Sequence, residues 1–85
     1  ETVTVTVDDK NSLFWDKESV TFDQFLTRIV RFRETCEATS KEPRILFNAD
    51  TRAGYGSCIT ILDEIRKAGI EKVSIETRVR KAPSQ

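Results

Sequence analysis

The stretch from Arg44 to Thr77 constrains the fold most, because its pattern predicts a strand, a helix and a second strand in succession. Residues Arg44–Asp50 have an apolar centre and end in an aspartate, which is typical of a buried strand. Apolar positions between Cys58 and Ala68 then recur with helical spacing, and Gly69 follows where a helix would end. The alternation from Lys72 to Val79 predicts another strand. A connection that carries a helix indicates parallel strands joined by a right-handed crossover.

The first twenty residues predict a β-hairpin. Residues Thr2–Val7 alternate strictly between threonine and valine, a pattern typical of a half-buried strand. Asp8–Asn11 predicts a turn and Ser12–Trp15 a short second strand, so that the two strands pair as a hairpin. The polar segment Asp16–Ser19 predicts a second turn.

A capped helix is predicted next. Thr21 and Gln24 have the spacing of a capping box, in which each side chain satisfies a backbone N–H of the other residue. The apolar stripe that follows should fade near Ala38 to Ser40, ahead of Pro43, because a residue before proline avoids the helical conformation. The element order is therefore β-β-α-β-α-β.

This order favours an α+β fold, an α/β two-layer sandwich with two helices packed on one face of a mixed sheet. Residues 1–80 should form a single domain, and residues 81–85 a disordered tail. The other sheet face should meet water, because its predicted residues are polar: Thr2, Thr4, Thr6, Ser74, Glu76 and Arg78.

Composition excludes several classes of function. Fourteen basic and fourteen acidic residues cancel, whereas binding to nucleic acid requires a basic surface. The chain has no histidine and only two cysteines, so we expect no metal site, no cofactor and no Ser-His or Cys-His catalytic pair. No phosphate-binding glycine motif is present. The sequence therefore predicts a protein that is not an enzyme.

An ordered set of short segments resembles one known family. These segments are Val3–Val7, Val20–Leu26, Ile45–Asp50, Tyr55, Leu62–Ile65, Ala68–Ile70 and Val73–Thr77. Together they resemble the periplasmic domain of the ExbD/TolR family of biopolymer transport proteins. The resemblance runs from about Val3 to Thr77.

The resemblance implies a role in energy transduction. It implies the periplasmic domain of a single-span inner-membrane protein of a Gram-negative bacterium, driven by the proton motive force. The implied partners are an ExbB- or TolQ-like channel subunit, reached through a membrane helix, and a TonB- or TolA-like protein that receives the force. The family also implies a homodimer and, as an alternative function, a peptidoglycan-binding TolR-like anchor. A third alternative, a small cytoplasmic regulatory or nucleic-acid module, is disfavoured because the predicted open sheet face lacks the aromatic residues that stack on RNA bases.

The last strand is the main candidate for partner binding. An edge strand exposes unpaired N–H and C=O groups that invite a strand from another chain. Charged residues on such a strand either steer that partner or protect the edge from aggregation. The candidate residues are Val73, Ile75, Glu76, Thr77, Arg78, Val79 and Arg80.

Three further residues each have two interpretations. Asp50 ends a strand and is either a functional carboxylate or a turn carboxylate that accepts hydrogen bonds from loop N–H groups. Tyr55 either presents its hydroxyl to a ligand or lies at the edge of the core. Trp15 is either an interface anchor or a lid over one end of the core.

The two cysteines are predicted to be buried free thiols. Cys36 lies near the end of the first helix and Cys58 near the start of the second, on the apolar stripe of each. If the helices run in the same direction, the two cysteines lie near opposite ends of the helix layer, and a 15-residue helix spans about 22 Å. A disulfide would require Cα atoms within about 7 Å.

Overall fold

The computed structural model describes residues 2–78, which form one five-stranded sheet and two helices. The order of strands across the sheet is β3-β2-β1-β4-β5. The elements in chain order are β1 (Thr2–Val7), β2 (Leu13–Trp15), β3 (Glu18–Val20), α1 (Phe22–Ala38), β4 (Arg44–Asp50), α2 (Tyr55–Lys67) and β5 (Lys72–Arg78). The predicted tail, residues 81–85, lies outside the described residues.

The sheet is mixed, as predicted. Strand β4 pairs in parallel with β1 on one side and with β5 on the other. Strand β2 is antiparallel to both β1 and β3. The two helical crossovers, from β3 to β4 and from β4 to β5, progress across the sheet in the same direction, so right-handed connections place both helices on one face.

One strand was missed in the sequence. The prediction of a turn over Asp16–Ser19 is wrong, because only Asp16 and Lys17 form the turn and Glu18–Val20 pairs with β2. This strand has three residues at the sheet edge, and only Val20 is buried. Its other two residues are polar, so the segment does not show the alternation of apolar and polar residues that predicts a strand. Asp16 closes the turn with φ 56°.

The core lies between the sheet and the two helices. Val5 is central: it lies between Trp15 of β2 and Phe47 of β4 in one row across the sheet. Phe25 of α1 and Ile65 of α2 are fully buried in the same apolar cluster. Burying a side chain of this size contributes about 1.5–3 kcal/mol.

The predicted capping box of α1 and the predicted ends of both helices are confirmed. The Thr21 hydroxyl accepts from the Gln24 N–H at 3.1 Å, and the Gln24 side chain accepts from the Thr21 N–H at 2.8 Å. Helix α1 ends at Ala38 and α2 at Lys67. Gly69 follows α2 with φ 90°, a conformation that a residue with a Cβ rarely adopts.

The second sheet face is less polar than predicted. Its register adds half-buried Phe14 and Leu46 to the threonines. It also carries Asn48, which is 8% exposed, and whose Oδ1 has no hydrogen-bond partner within the described part of the chain. Thr6 and Glu76 flank Asn48 on the neighbouring strands.

Candidate functional site: an edge strand beside an apolar groove

Strand β5 forms one edge of the sheet described by residues 2–78. It pairs with β4 along its whole length, from Lys72 opposite Arg44 to Arg78 opposite Asp50. Its other side has no strand partner in this sheet. Because an edge strand carries backbone donors and acceptors that point away from the sheet, β5 can accept a further strand.

An apolar groove of about 640 Å³ lies along this edge, between α2 and β5. Ile75 of β5 is 60% exposed and Ile59 of α2 is 45% exposed, while Val73 is half-buried. Ile75 lies next to the fully buried Phe47 in the sheet and points to the same face. The difference in exposure shows that the helix layer covers Phe47 of β4 but leaves Ile75 of the outer strand open.

Charged residues form the rim of the groove. Asp63, Arg66 and Glu71 line it together with the apolar residues. The Asp63 carboxylate accepts from the Lys67 ammonium at 3.1 Å, and Glu64 lies 3.7 Å from the same ammonium. The hydrogen bond to Asp63 raises the pKa of Lys67 above its ordinary value. These contacts are exposed, so they add little to stability.

The structure brings together only part of the predicted partner-binding set. Val73 and Ile75 line the groove, and Glu76 and Thr77 are exposed further along β5. The backbone of Arg78 ends the pairing with β4. Val79 and Arg80 lie outside the described residues.

The contacts of Asp50 agree with its turn interpretation. The Asp50 Oδ1 accepts from the backbone N–H of Arg52 at 2.8 Å, and its backbone oxygen accepts from the Ala53 N–H at 2.9 Å. The Arg52 guanidinium lies 3.7 Å from Asp50 and 3.4 Å from Asp9. Asp50 therefore stabilises the loop that precedes α2.

Tyr55 and Trp15 lie apart from the groove. Of the two interpretations of Tyr55, the core-edge one is wrong, because its side chain is 81% exposed at the start of α2. Trp15 packs its ring against Phe25 and Phe32, with ring centroids 6.2 and 6.1 Å away. These contacts agree with the lid interpretation of Trp15.

The prediction of two free thiols is confirmed, but the prediction that both are buried is confirmed only for Cys36. Cys36 and Cys58 are both free. Cys36 is fully buried, whereas Cys58 is only half-buried. Partial burial of the Cys58 thiol raises its pKa above the ordinary value.

A second cleft, also of about 640 Å³, lies at the carboxyl ends of β1 and β3 and between the first turns of the two helices. Its lining has no charged side chain: the polar residues are Asn11, Ser12, Ser19, Thr21, Ser57 and Thr60. Phe22 lines it as well and is 41% exposed. An uncharged, hydroxyl-rich cleft beside an aromatic ring suits a neutral ligand.

Sequence reasoning missed the α2 side of the first groove. Ile59, Leu62, Asp63 and Arg66 line it, and none was named as a site residue. One signal was available, because apolar positions at both 58–59 and 61–62 make the stripe of α2 too wide for a single buried face.

Within residues 2–78, no group of three histidine, cysteine, aspartate or glutamate side chains could hold a metal ion. None of the helices described by the structure is both long and apolar enough to cross a membrane.

Comparison with known protein families gives a match. The family model described as biopolymer transport protein ExbD/TolR matches residues 1–79. No curated protein sequence matches the chain significantly. The matched range covers nearly the whole chain and includes both the edge strand β5 and the groove beside it.

Proposed function

Because the chain belongs to the ExbD/TolR family of biopolymer transport proteins, we propose that it is the periplasmic domain of a non-enzymatic energy-transducing protein driven by the proton motive force. In this proposal an ExbB- or TolQ-like channel subunit drives the protein through a membrane helix. The domain then passes force to a TonB- or TolA-like partner by direct contact, and it works as a homodimer.

One observation carries the proposal: the unpaired edge of β5 lies beside an apolar groove. A partner segment added to β5 would form main-chain hydrogen bonds along the edge. Its alternate side chains would enter the groove over Ile75 and Ile59, which are exposed in the isolated chain. Main-chain pairing suits force transmission, because several hydrogen bonds along one strand share the applied force.

The exposed charges of β5 favour binding of one specific partner over non-specific pairing with other strands. Lys72 and Glu76 are exposed on the face opposite the groove, four residues apart on one strand. Charged residues at a sheet edge suppress non-specific pairing, and they also select a partner with complementary charges.

Titration of the isotopically labelled chain with the periplasmic region of the TonB- or TolA-type protein from the same organism tests the proposal. We expect amide shifts from Lys72 to Arg78. The variant Ile75→Asp should weaken binding at least tenfold, because it places a charge in the groove. Val30→Asp is the matched control, since Val30 is an exposed apolar residue of α1 that lines neither groove. Binding without any change along β5 would refute strand addition.

The uncharged cleft supports the second candidate, peptidoglycan binding. Its hydroxyl groups and the exposed ring of Phe22 suit the neutral, hydroxylated face of a sugar. Co-sedimentation with purified sacculi tests this candidate, and Phe22→Ala should reduce the bound fraction while Val30→Ala leaves it unchanged. If both variants co-sediment with sacculi to the same extent, the cleft is not the peptidoglycan-binding site.

A further inference from the structure

We infer that Tyr55 and Arg66, at the two ends of one row of residues on α2, select the partner strand that adds to β5. The selected strand presents an apolar or aromatic side chain to Tyr55 and an acidic side chain to Arg66. This inference rests on the proposed function, because it specifies which segment of the partner the edge accepts.

The row forms the α2 side of the groove. Ile59, Leu62 and Arg66 line the groove, and spacings of three and four residues keep them on one flank of the helix. Tyr55 lies four residues before Ile59 and continues the same flank. The α2 row, Tyr55, Ile59, Leu62 and Arg66, therefore extends one turn beyond the groove itself.

The α2 row runs beside β5 in the opposite direction. Helix α2 begins after the carboxyl end of β4 and ends before the amino end of β5, and these two strands are parallel. Tyr55 therefore lies toward the carboxyl end of β5. Arg66 lies toward its amino end, where Ile70 and Val73 line the groove with it. A strand added to β5 would pass both ends of the row on the helix side of the sheet.

Tyr55 is an aromatic side chain that the fold itself leaves uncovered. It is 81% exposed, compared with 60% for Ile75 and 45% for Ile59. Burial of a large apolar surface stabilises a complex most when the free chain leaves that surface in water. Tyrosine and arginine are also enriched among the residues that dominate binding energy at interfaces. Tyr55 is therefore suited to anchor an apolar side chain of the partner.

Arg66 is an uncompensated charge beside the groove. Its side chain is exposed and has no ion-pair partner among residues 2–78. The adjacent Lys67, in contrast, is paired with Asp63 and Glu64. Glu71 also lines the groove, but no ion pair joins it to Arg66 within this range. A guanidinium in this position favours a carboxylate in the strand that occupies the groove.

The distance between Tyr55 and Arg66 sets the spacing of the partner's side chains. The two residues are eleven positions apart in one helix, which corresponds to about 16 Å. An extended strand covers that distance in about five residues. Side chains on one face of a strand are an even number of residues apart, so the apolar and the acidic side chain should be four or six residues apart. Those between them on this face should be apolar, because they meet Ile59 and Ile75.

Substitution of Tyr55 tests the apolar contact. Calorimetric titration with the periplasmic region of the TonB- or TolA-type protein should give a dissociation constant about tenfold higher for Tyr55→Ser. Tyr55→Phe keeps the ring and should bind like the parent. Val30→Ser is the matched control, since Val30 is exposed on α1 and lines neither groove. Unchanged binding by Tyr55→Ser would overturn the contact.

A stability measurement separates binding from folding at this position. Because the Tyr55 side chain is 81% exposed, Tyr55→Ser should keep the urea midpoint of the parent while it loses affinity. Loss of affinity in proportion to a loss of stability would assign Tyr55 to the fold and overturn its role in recognition.

Charge reversal tests the acidic contact. Arg66→Glu should raise the dissociation constant about tenfold at low ionic strength and by much less at 0.5 M salt, since salt screens exposed charges. Arg31→Glu is the matched control, an exposed arginine of α1 that lines neither groove. Lysine replacement of the partner's acidic residues, one at a time, should identify one that restores binding to Arg66→Glu. If no replacement restores binding, Arg66 does not contact an acidic side chain.

The same titrations distinguish failure of this inference from failure of the proposed function. If the parent binds with amide shifts along β5 while Tyr55→Ser and Arg66→Glu bind equally well, strand addition stands and selection by the α2 row is wrong. If the parent does not bind the periplasmic region, the proposed function fails, and selection by the α2 row fails with it.

Discussion

The Oδ1 of Asn11 accepts a hydrogen bond from the backbone N–H of Gly54 at 2.6 Å. Asn11 lies in the β1–β2 turn with φ 62°, and Gly54 is the N-cap residue of α2. The bond joins positions 43 residues apart. It therefore fixes the start of α2 over the carboxyl end of the sheet, and with it one wall of the uncharged cleft.

Substitutions at Asn11 should separate its two roles. Asn11→Gly keeps the positive φ but removes the hydrogen bond, so we expect a loss of about 1 kcal/mol in the free energy of unfolding. Asn11→Ala should lose about 1–2 kcal/mol more, because alanine is strained at this φ. Asn11→Asp keeps the acceptor and should remain close to the parent. Urea denaturation measures all three, and equal stability of Asn11→Gly and the parent would mean that the bond contributes nothing.

Two glycines should respond in opposite directions to alanine. A Cβ at Gly69 would lie 2.8 Å from the Arg33 Nε, and φ there is 90°. Gly69→Ala should therefore destabilise the protein by about 1 kcal/mol or more. A Cβ at Gly56, in the first turn of α2, would meet nothing within 4 Å, so Gly56→Ala should stabilise by about 0.4–1 kcal/mol. Thermal unfolding measures both variants, and a shift of the same sign for both would contradict the backbone conformations described for Gly56 and Gly69.

Glu18 should make stability depend on pH. The Arg28 guanidinium donates to both carboxylate oxygens, at 2.9 and 2.8 Å, and these hydrogen bonds lower the pKa of Glu18 from its ordinary value of 4.5. A lowered pKa in the folded state contributes stability above pH 4.5, and this contribution is lost as pH falls through the folded-state value. Glu18→Gln should therefore be less stable than the parent at pH 7, and the gap should narrow below pH 4.5.

A matched charge removal controls for the pH experiment. Glu34 is exposed on α1 and forms no ion pair within residues 2–78. Glu34→Gln should follow the pH dependence of the parent in urea denaturation series at pH 3 to 7. A gap between Glu18→Gln and the parent that stays constant over this range would show that the carboxylate of Glu18 is not coupled to folding.

The two thiols should differ in reactivity. Burial raises the pKa of the Cys58 thiol above its ordinary value of 9.0, so little thiolate exists near pH 8. Iodoacetamide should label Cys58 slowly and Cys36 more slowly still, because Cys36 is fully buried. Both should be labelled quickly in denaturant. Mass spectrometry follows the reaction, and a two-proton deficit without reductant would indicate a disulfide instead.

Local pattern was sufficient for most of the fold. The Thr-Val alternation of β1, the capping box at Thr21 and Gln24, and the glycine after α2 each depend on a few neighbouring residues. These predictions are correct because caps and helix ends depend on local backbone hydrogen bonds and φ values, which tertiary packing does not change. The third strand escaped prediction for the same reason, since Glu18–Val20 is too short to show a period.

The amino-acid sequence by itself determined every element except the short strand β3, the cap of α1 and which side chains point toward a helix layer. Only the tertiary structure decided which of those side chains are covered. Phe47 and Ile75 occupy one row on one sheet face, yet one is 1% exposed and the other 60%. Periodicity is a property of a single segment, whereas coverage depends on strand order and on how far α2 reaches across the sheet. The exposed edge and its groove are therefore a consequence of packing that no local pattern contains.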